Sequence, residues 1–256
     1  MLTKIYNIKS LVTYDDDIND VVIQTPKNII IKDDRIDSVN FKDIDFEVDS
    51  EINANNTILS PGFIDSHTHL IFASNRADDF SKRISGQSYI DIANSGGGIK
   101  SSINSFRKTS KEEIVKDCEK KISYFLKNGT TTIEVKSGYG LSLEDELKSL
   151  NILKELNNKS DVGLISTFMG AHDFPPEIKD KESYVDLICN EMIPEVRSNN
   201  LAEFCDVFCE QGYFDINQTL KISQCANDYN LKMKLHADEF NDSGAAFIAG
   251  EIKAVS

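Results

Sequence analysis

From Ser60-Pro61-Gly62 onward, apolar residues fall into two alternating rhythms. Short apolar runs at 63–65, 131–135, 162–169, 204–208 and 232–235 alternate with stretches at 111–127, 142–156, 184–197, 217–229 and 242–251, whose apolar positions recur three and four residues apart. The first rhythm predicts strands and the second amphipathic helices. In 111–127, Ile114, Cys118, Ile122 and Phe125 share one face, and Asn128-Gly129 provides a left-handed stop. A long loop separates the strand at 63–65 from that helix. Before residue 60 the pattern differs: 4–14, 28–36 and 51–59 are rich in β-branched residues and are separated by turn signals such as Asp15-Asp16-Asp17 and Asp33-Asp34. The chain therefore divides into a small β-sheet portion over 1–60 and a strand–helix portion over 61–256.

Alternating strand–helix units predict an α/β fold with a parallel sheet, either open and doubly wound or closed as a (β/α)₈ barrel. No glycine-rich dinucleotide fingerprint follows the first strand, which disfavours a nucleotide-binding doubly wound fold. Gly96-Gly97-Gly98 lacks the Gly-Lys-Ser/Thr ending and the preceding strand of a phosphate cradle, and it reads as a flexible loop. About five units are present, and residues 254–256 read as the opening of a sixth strand. A closed barrel of eight needs more.

A formal charge of -14 argues against nucleic acid and anionic membranes as partners, because both select basic surfaces. An anionic substrate would then need a local cation. No apolar run is long enough to span a bilayer, and the first fifteen residues alternate instead of forming an apolar signal core, so the expectation is a cytoplasmic protein. The five cysteines are odd in number, which favours reduced thiols. Cys205 and Cys209 lack the usual zinc-pair spacing and sit in a strand-like run, so they read as core packing.

All four histidines fall at or just beyond the C-terminal end of a predicted strand: His67 and His69 after the first, His172 after the third, His236 after the fifth. In a barrel those ends converge on one mouth. The spacing His67-Thr68-His69 puts two imidazoles on one side of an extended segment, a ready half-site for a divalent metal, although a His-x-His alone is also an ordinary polar strand end.

With Pro61-Gly62-Phe63-Ile64-Asp65-Ser66-His67-Thr68-His69 the chain resembles the amidohydrolase superfamily. Four further motifs are together similar to its imidazolonepropionase family: Glu134-Val135-Lys136-Ser137-Gly138-Tyr139-Gly140-Leu141, Met169-Gly170-Ala171-His172 followed by Pro175-Pro176-Glu177, Asp206-Val207-Phe208-Cys209-Glu210, and Leu235-His236-Ala237-Asp238-Glu239-Phe240. The resemblance implies a metal-dependent-hydrolase barrel of the TIM type, incomplete here, preceded by part of a β-sandwich. It implies that His67, His69 and His236 bind one metal ion, with an Asp from the last strand that is not among these 256 residues, so this chain alone is expected to be inactive. Zinc and iron both suit such ligands.

Further roles also follow from the resemblance. Arg76 and Tyr139, in the loops after the first two strands, would hold the substrate's carboxylate; the plain alternatives are a solvated loop arginine and a loop-capping tyrosine. His172 would hydrogen-bond the imidazolone ring or its oxyanion, or simply tie the third loop to its neighbour. Glu239 would move the proton from water to the departing nitrogen, or stand as a surface carboxylate beside Asp238 and Asp242. Lys136 lies on the second strand, whereas the carboxylated lysine of two-metal members belongs to the fourth, so a single-metal site is implied and Lys136 is a structural or supporting cation. The implied reaction is hydrolytic opening of 4-imidazolone-5-propanoate to N-formimidoyl-L-glutamate in histidine degradation, by a possible homodimer. The alternatives are another cyclic-amide hydrolase or deaminase of the superfamily, or a non-catalytic scaffold.

Overall fold

The computed structural model describes residues 1–43, 47–88, 91–92 and 95–256. Two compact units emerge, Met1–Gly62 and Phe63–Ser256. In the first, β1 (Leu2–Tyr6), β2 (Ser10–Asp15), β3 (Asp20–Gln24), β4 (Asn28–Lys32), β5 (Arg35–Asn40), β6 (Ser50–Asn53) and β7 (Ile58–Leu59) form two sheets, ordered β5-β4-β1-β6 and β3-β2-β7. The runs expected at 4–14 and 51–59 are each broken in two. Asn7 (φ 57°) separates β1 from β2, and Asn55 and Asn56 (φ 50° and 58°) separate β6 from β7. Asparagine tolerates the left-handed region and its short side chain bonds locally, so it turns the chain where the apolar pattern alone reads through. Ile29 and Ile30 of β4 are the buried centre of this unit.

The second unit is built on a five-stranded parallel sheet, β12-β11-β10-β9-β8, from β8 (Phe63–Thr68), β9 (Thr130–Lys136), β10 (Gly163–Ala171), β11 (Phe204–Cys209) and β12 (Lys232–Ala237). Sequential order without reversal is the order of a barrel wall, not of a doubly wound sheet. Residues 254–256 continue the wall: Val255 N–H donates to Met233 C=O (2.8 Å) and Leu235 N–H to Ser256 C=O (3.0 Å).

Helices return the chain after each strand. α3 (Lys111–Lys127) starts at a capping box in which Ser110 and Glu113 satisfy each other's backbone N–H, and it buries Ile114, Cys118 and Ile122. α4 (Leu143–Asn157) is capped by Ser142 and buries Leu150, Leu153 and Leu156; α7 (Ile216–Asp228) has a second capping box, from Asp215 and Gln218. α8 is Ala245–Glu251. The helix expected at 184–197 is three pieces, α5 (Lys181–Leu187), a π-turn (Ile188–Met192) and α6 (Ile193–Ser198). Pro194, at the start of α6, has no N–H to give and its ring crowds the preceding turn, which the wider π-turn accommodates.

The region between β8 and α3 is not one long loop. It contains α1 (Ala77–Ile84) and α2 (Gly98–Lys108), the latter burying Ile99, Ile103 and Phe106. Gly97 and Gly98 are therefore the start of a helix and not a flexible loop. A Cβ on Gly97 would lie 2.5 Å from Asp79 Oδ1 and 2.8 Å from an Ile92 methyl, and Asp79 accepts the Gly98 N–H at 2.8 Å. Cys205 and Cys209 are buried in β11, and none of the five cysteines is in a disulfide. No helix among the described residues is long and apolar enough to cross a membrane.

Candidate active site

Neighbouring strands lie about 4.8 Å apart, so a flat five-stranded sheet would hold β8 and β12 about 19 Å from each other. Yet Nε2 of His67, on β8, and Nε2 of His236, on β12, are 3.1 Å apart, their rings edge to face with centroids 4.6 Å apart. The sheet is therefore curled into half a barrel wall, and the side chains of its outermost strands meet across the lumen.

The remaining histidines join this cluster. His69 stacks on His172 (centroids 4.9 Å, interplanar angle 10°), and both contact the Tyr139 ring at 5.0 and 5.1 Å. Arg76 reaches the same group: its Nη2 donates to Tyr139 Oη at 3.3 Å, its Nε to Ser102 Oγ at 3.2 Å, and its guanidinium lies 5.4 Å from the Phe72 ring. Glu239 is exposed and shares with His67 and His236 the lining of a cavity of ≈ 400 Å³. The seven residues given a metal, substrate or proton-transfer role in the sequence thus lie around one mouth. His67 and His236 meet directly, whereas His69 faces His172, its ring centroid 6.0 Å from that of His67.

Burial favours the neutral form of His67, His69 and His172. It pushes His172 down to about 4, against the pull of the Gly138 carbonyl, and drives His69 well below the usual imidazole range, helped by His172 beside it. His67 is lowered by burial and then by His236 and Lys136. Neutral imidazoles are the form that binds metal.

Below the histidines the lumen is charged. Period-two alternation points Glu134 and Lys136 of β9, Asp206 of β11, and Lys234 and His236 of β12 inward. Lys136 Nζ bonds Glu134 Oε1 at 2.7 Å and Asp206 Oδ2 at 2.8 Å, Lys234 Nζ lies 3.2 Å from Glu134 Oε1, and Asp206 Oδ1 sits 3.1 Å from His236 Nδ1. Burial alone would raise the Asp206 carboxyl; the hydrogen bond from His236 and the nearby Lys136 overcome it and hold it at about 2. Glu134 is likewise lowered against its burial, by Lys136, Thr167 and Lys234. Asp206 and Glu134 had no assigned role in the sequence. The signal was present: ionisable residues two apart in otherwise apolar strands must share a face and, if buried, must find partners.

A second set of contacts shapes the loop that carries Tyr139. Glu146, fully buried at the start of α4, accepts N–H groups from Gly138, Gly140 (2.8 Å) and Leu141 (3.0 Å), while Arg107 of α2 donates to Gly140 C=O at 2.8 Å and pairs with Glu177 at 2.7 Å. Gly138 sits at φ +103°, and a Cβ there would lie 2.7 Å from Met169 O and 2.9 Å from His172 Cβ. Gly138→Ala is expected to lose about 2 kcal/mol or more, because a left-handed conformation and a backbone clash add. Gly86→Ala, at φ +93° with open space around it, bears the strain alone and serves as the reference. Equal losses of melting temperature in the two variants would show that the close approach to His172 has no weight. The turn after β12 is fixed in a comparable way: Glu210 accepts Phe240 N–H at 2.8 Å, and Asp238 (φ 53°) accepts Ser243 N–H at 2.8 Å and Ala246 N–H at 2.9 Å, holding Glu239 between them.

Among the described residues no group of three or more His, Cys, Asp or Glu side chains is already arranged around a common centre. The three histidines nevertheless fit a metal ion in kind, and His67 and His236 fit it in spacing as well. Zinc–nitrogen bonds of about 2.0–2.1 Å at tetrahedral angles put ligand nitrogens about 3.3 Å apart, close to the separation of the His67 and His236 Nε2 atoms. Among the described residues, His69 Nδ1 is buried without a hydrogen-bond partner, a polar atom that a bound group could satisfy.

No family model matches the chain. The imidazolonepropionase of Thermoanaerobacter pseudethanolicus is 42% identical over 260 residues, which cover 98% of this chain and 63% of that protein. That of Shouchella clausii is 45% identical over 206 residues, covering 80% and 46%. The chain thus spans roughly half to three-fifths of the length of these curated relatives. Among solved structures, the 5-methylcytosine deaminase of Klebsiella pneumoniae matches with a TM-score of 0.63 at 14% identity, covering 96% of this chain and 53% of that one. An amidohydrolase from a Sargasso Sea environmental sample matches with a TM-score of 0.61 at 12% identity, covering 98% and 56%. The fold is therefore that of the amidohydrolases, and along nearly its whole length the sequence is similar to the imidazolonepropionases.

Proposed function

We propose that this chain carries most of the active site of a metal-dependent hydrolase that opens the ring of 4-imidazolone-5-propanoate to N-formimidoyl-L-glutamate. The observation that carries the reading is the convergence of His67, His69, His172 and His236, from three strand ends, beside an Arg76–Tyr139 pair suited to a carboxylate. In this reading residues 61–256 are the greater part of a (β/α)₈ barrel and residues 1–60 part of a β-sandwich. The ion, zinc or iron, is held by His67, His69 and His236 together with an Asp outside this chain.

When bound, such an ion acidifies water and polarises a carbonyl oxygen. The protein's own groups do the rest. Arg76 and Tyr139 hold the propanoate by charge-assisted hydrogen bonds, orienting the ring. The His172 Nδ1 nitrogen lies 2.9 Å from Gly138 C=O, an acceptor, so Nδ1 carries the proton and Nε2 keeps a lone pair. His172 then accepts a ring N–H of the substrate. Stabilising an oxyanion would require the imidazolium, which burial opposes. Glu239 takes a proton as water adds to the ring carbonyl and returns it to the ring nitrogen as the C–N bond breaks, leaving a carboxylate and the formimidoyl nitrogen.

Arg76→Met is expected to lower kcat/KM by about 10–100-fold, the range for losing a hydrogen bond to a charged group, mainly through KM. A substrate analogue lacking the propanoate should show no such difference between the parent and the variant; an equal loss on both would remove Arg76 from the carboxylate. The reading as a whole is tested by following absorbance of freshly generated imidazolone propanoate with this chain and with the same chain extended to its natural stop codon. Turnover by the extended protein, abolished by chelator and restored by zinc or iron, is expected, with none from the 256 residues alone. If the extended, metal-loaded protein leaves this substrate intact but hydrolyses another cyclic amide or deaminates an amidine ring, the substrate assignment fails.

A further inference from the structure

Barrel lumens are ordinarily filled with layers of Val, Ile and Leu. Here the layer under the histidines consists of two carboxylates and two ammonium groups, and Glu134, Lys136 and Asp206 are each 4% exposed or less. The four charges balance. Buried ion pairs seldom stabilise a protein more than apolar side chains of the same volume, because desolvation offsets their attraction, so this layer has no evident advantage as packing. Toward the histidines it is connected through Asp206, which meets His236 Nδ1.

We infer that Lys136, clasped between Glu134 and Asp206, is a positioning residue that fixes the Asp206 carboxylate and through it aims Nε2 of His236 at a bound divalent cation. The inference rests on the metal site proposed above. Lys136 takes one oxygen of Asp206, at 2.8 Å, and leaves the other, Oδ1, facing His236 Nδ1 at 3.1 Å. An anionic acceptor there keeps the proton on Nδ1 and the lone pair on Nε2, which is how carboxylates behind metal-binding histidines act. The 3.1 Å contact between Nε2 atoms then makes His67 the donor and His236 the acceptor. Glu134 holds Lys136 from the opposite side, and is itself held by Lys234 and Thr167, so the ammonium cannot follow Asp206 if that carboxylate turns.

The test is zinc binding by the chain extended to its natural stop codon, which supplies the proposed fourth ligand, by competition with a chromophoric chelator, with cooperative thermal unfolding as the check on folding. Lys136→Met and Asp206→Asn are each expected to weaken zinc binding by about 10–100-fold, the usual range for residues behind the ligands, and the double variant is expected to be no weaker than D206N, because both act through one hydrogen bond. Ile222→Ala, a core change remote in kind from this network, is expected to lower the melting temperature and leave zinc affinity as in the parent. If K136M does not fold, Lys136→Met combined with Glu134→Gln, which still removes the donor to Asp206 but leaves no unpaired carboxylate at position 134, carries the same comparison. Long-range ¹H–¹⁵N spectra of the unaltered chain add a second reading: His236 should carry its proton on Nδ1. A folded Lys136 variant with parental zinc affinity, or a His236 proton on Nε2, overturns the inference. Failure of the parent itself to bind zinc would instead sink the metal site on which it rests.

Discussion

On the proposed metal site, replacing His236 with Asn is expected to abolish metal binding and, in the chain extended to its natural stop codon, the proposed hydrolysis. Residues behind a metal's ligands already contribute about 10–100-fold to affinity, so a ligand itself should contribute more than about 100-fold. The geometry gives His236 this weight. Its ring comes from the last strand of the sheet and meets His67 from the first, with Nε2 atoms 3.1 Å apart, while Asp206 holds its other nitrogen. Asn is too short to reach that point and offers no imidazole lone pair. His67→Asn should behave in the same way. His172→Asn should not, because His172 has its Nδ1 on the Gly138 carbonyl and is not among the proposed ligands; it should keep the ion and lose turnover. Metal content after dialysis, measured beside the rate, separates the two classes. Retention of a full metal equivalent by H236N, or its loss in H172N, would reverse the assignment.

Much of this architecture is legible in the sequence because the parallel sheet is regular. The strands at 131–135, 204–208 and 232–235 and the helices at 111–127 and 142–156 lie within a few residues of β9, β11, β12, α3 and α4, each marked by apolar periodicity and an N-terminal Ser or a terminal Asn-Gly. What the pattern hides are elements whose signal is local chemistry. α1 is only eight residues long and leaves its apolar Phe80 and Ile84 exposed, too short a pattern to mark a helix, and α2 begins at Gly97-Gly98, where glycine looks like a break but fits against Asp79. The site was legible in its histidines, whose position at strand ends is a linear feature. Its support was not. That Lys136 stands between Glu134 and Asp206, seventy residues away in sequence, depends on the register of β9 against β10 and β10 against β11, which nothing local specifies.

Acidification from pH 6.5 toward pH 4 is expected to destabilise the metal-free protein by about 3 kcal/mol from His172 alone. Its folded value of about 4 lies below the ordinary 6.5 because burial penalises the charged ring. The unfolded chain therefore takes up a proton near pH 6.5 that the folded chain refuses until about 4. Within that window the unfolded state binds more protons, so stability falls as pH falls, and below 4 the loss from this group is complete. His69, also depressed by burial, works in the same direction. Asp206 adds a second, lower phase: with its folded value at about 2 against 3.8, the stability it provides is lost only as pH drops below the ordinary carboxylate range. Urea unfolding in the presence of chelator at intervals from pH 7.5 to 4.5 measures the slope, and His172→Gln, which fills similar space without titrating, should flatten it. Equal stability at both ends of that range, or an unchanged slope in H172Q, would mean that the ring is hydrated and that the stacked pair of His69 and His172 is more open than the structure places it.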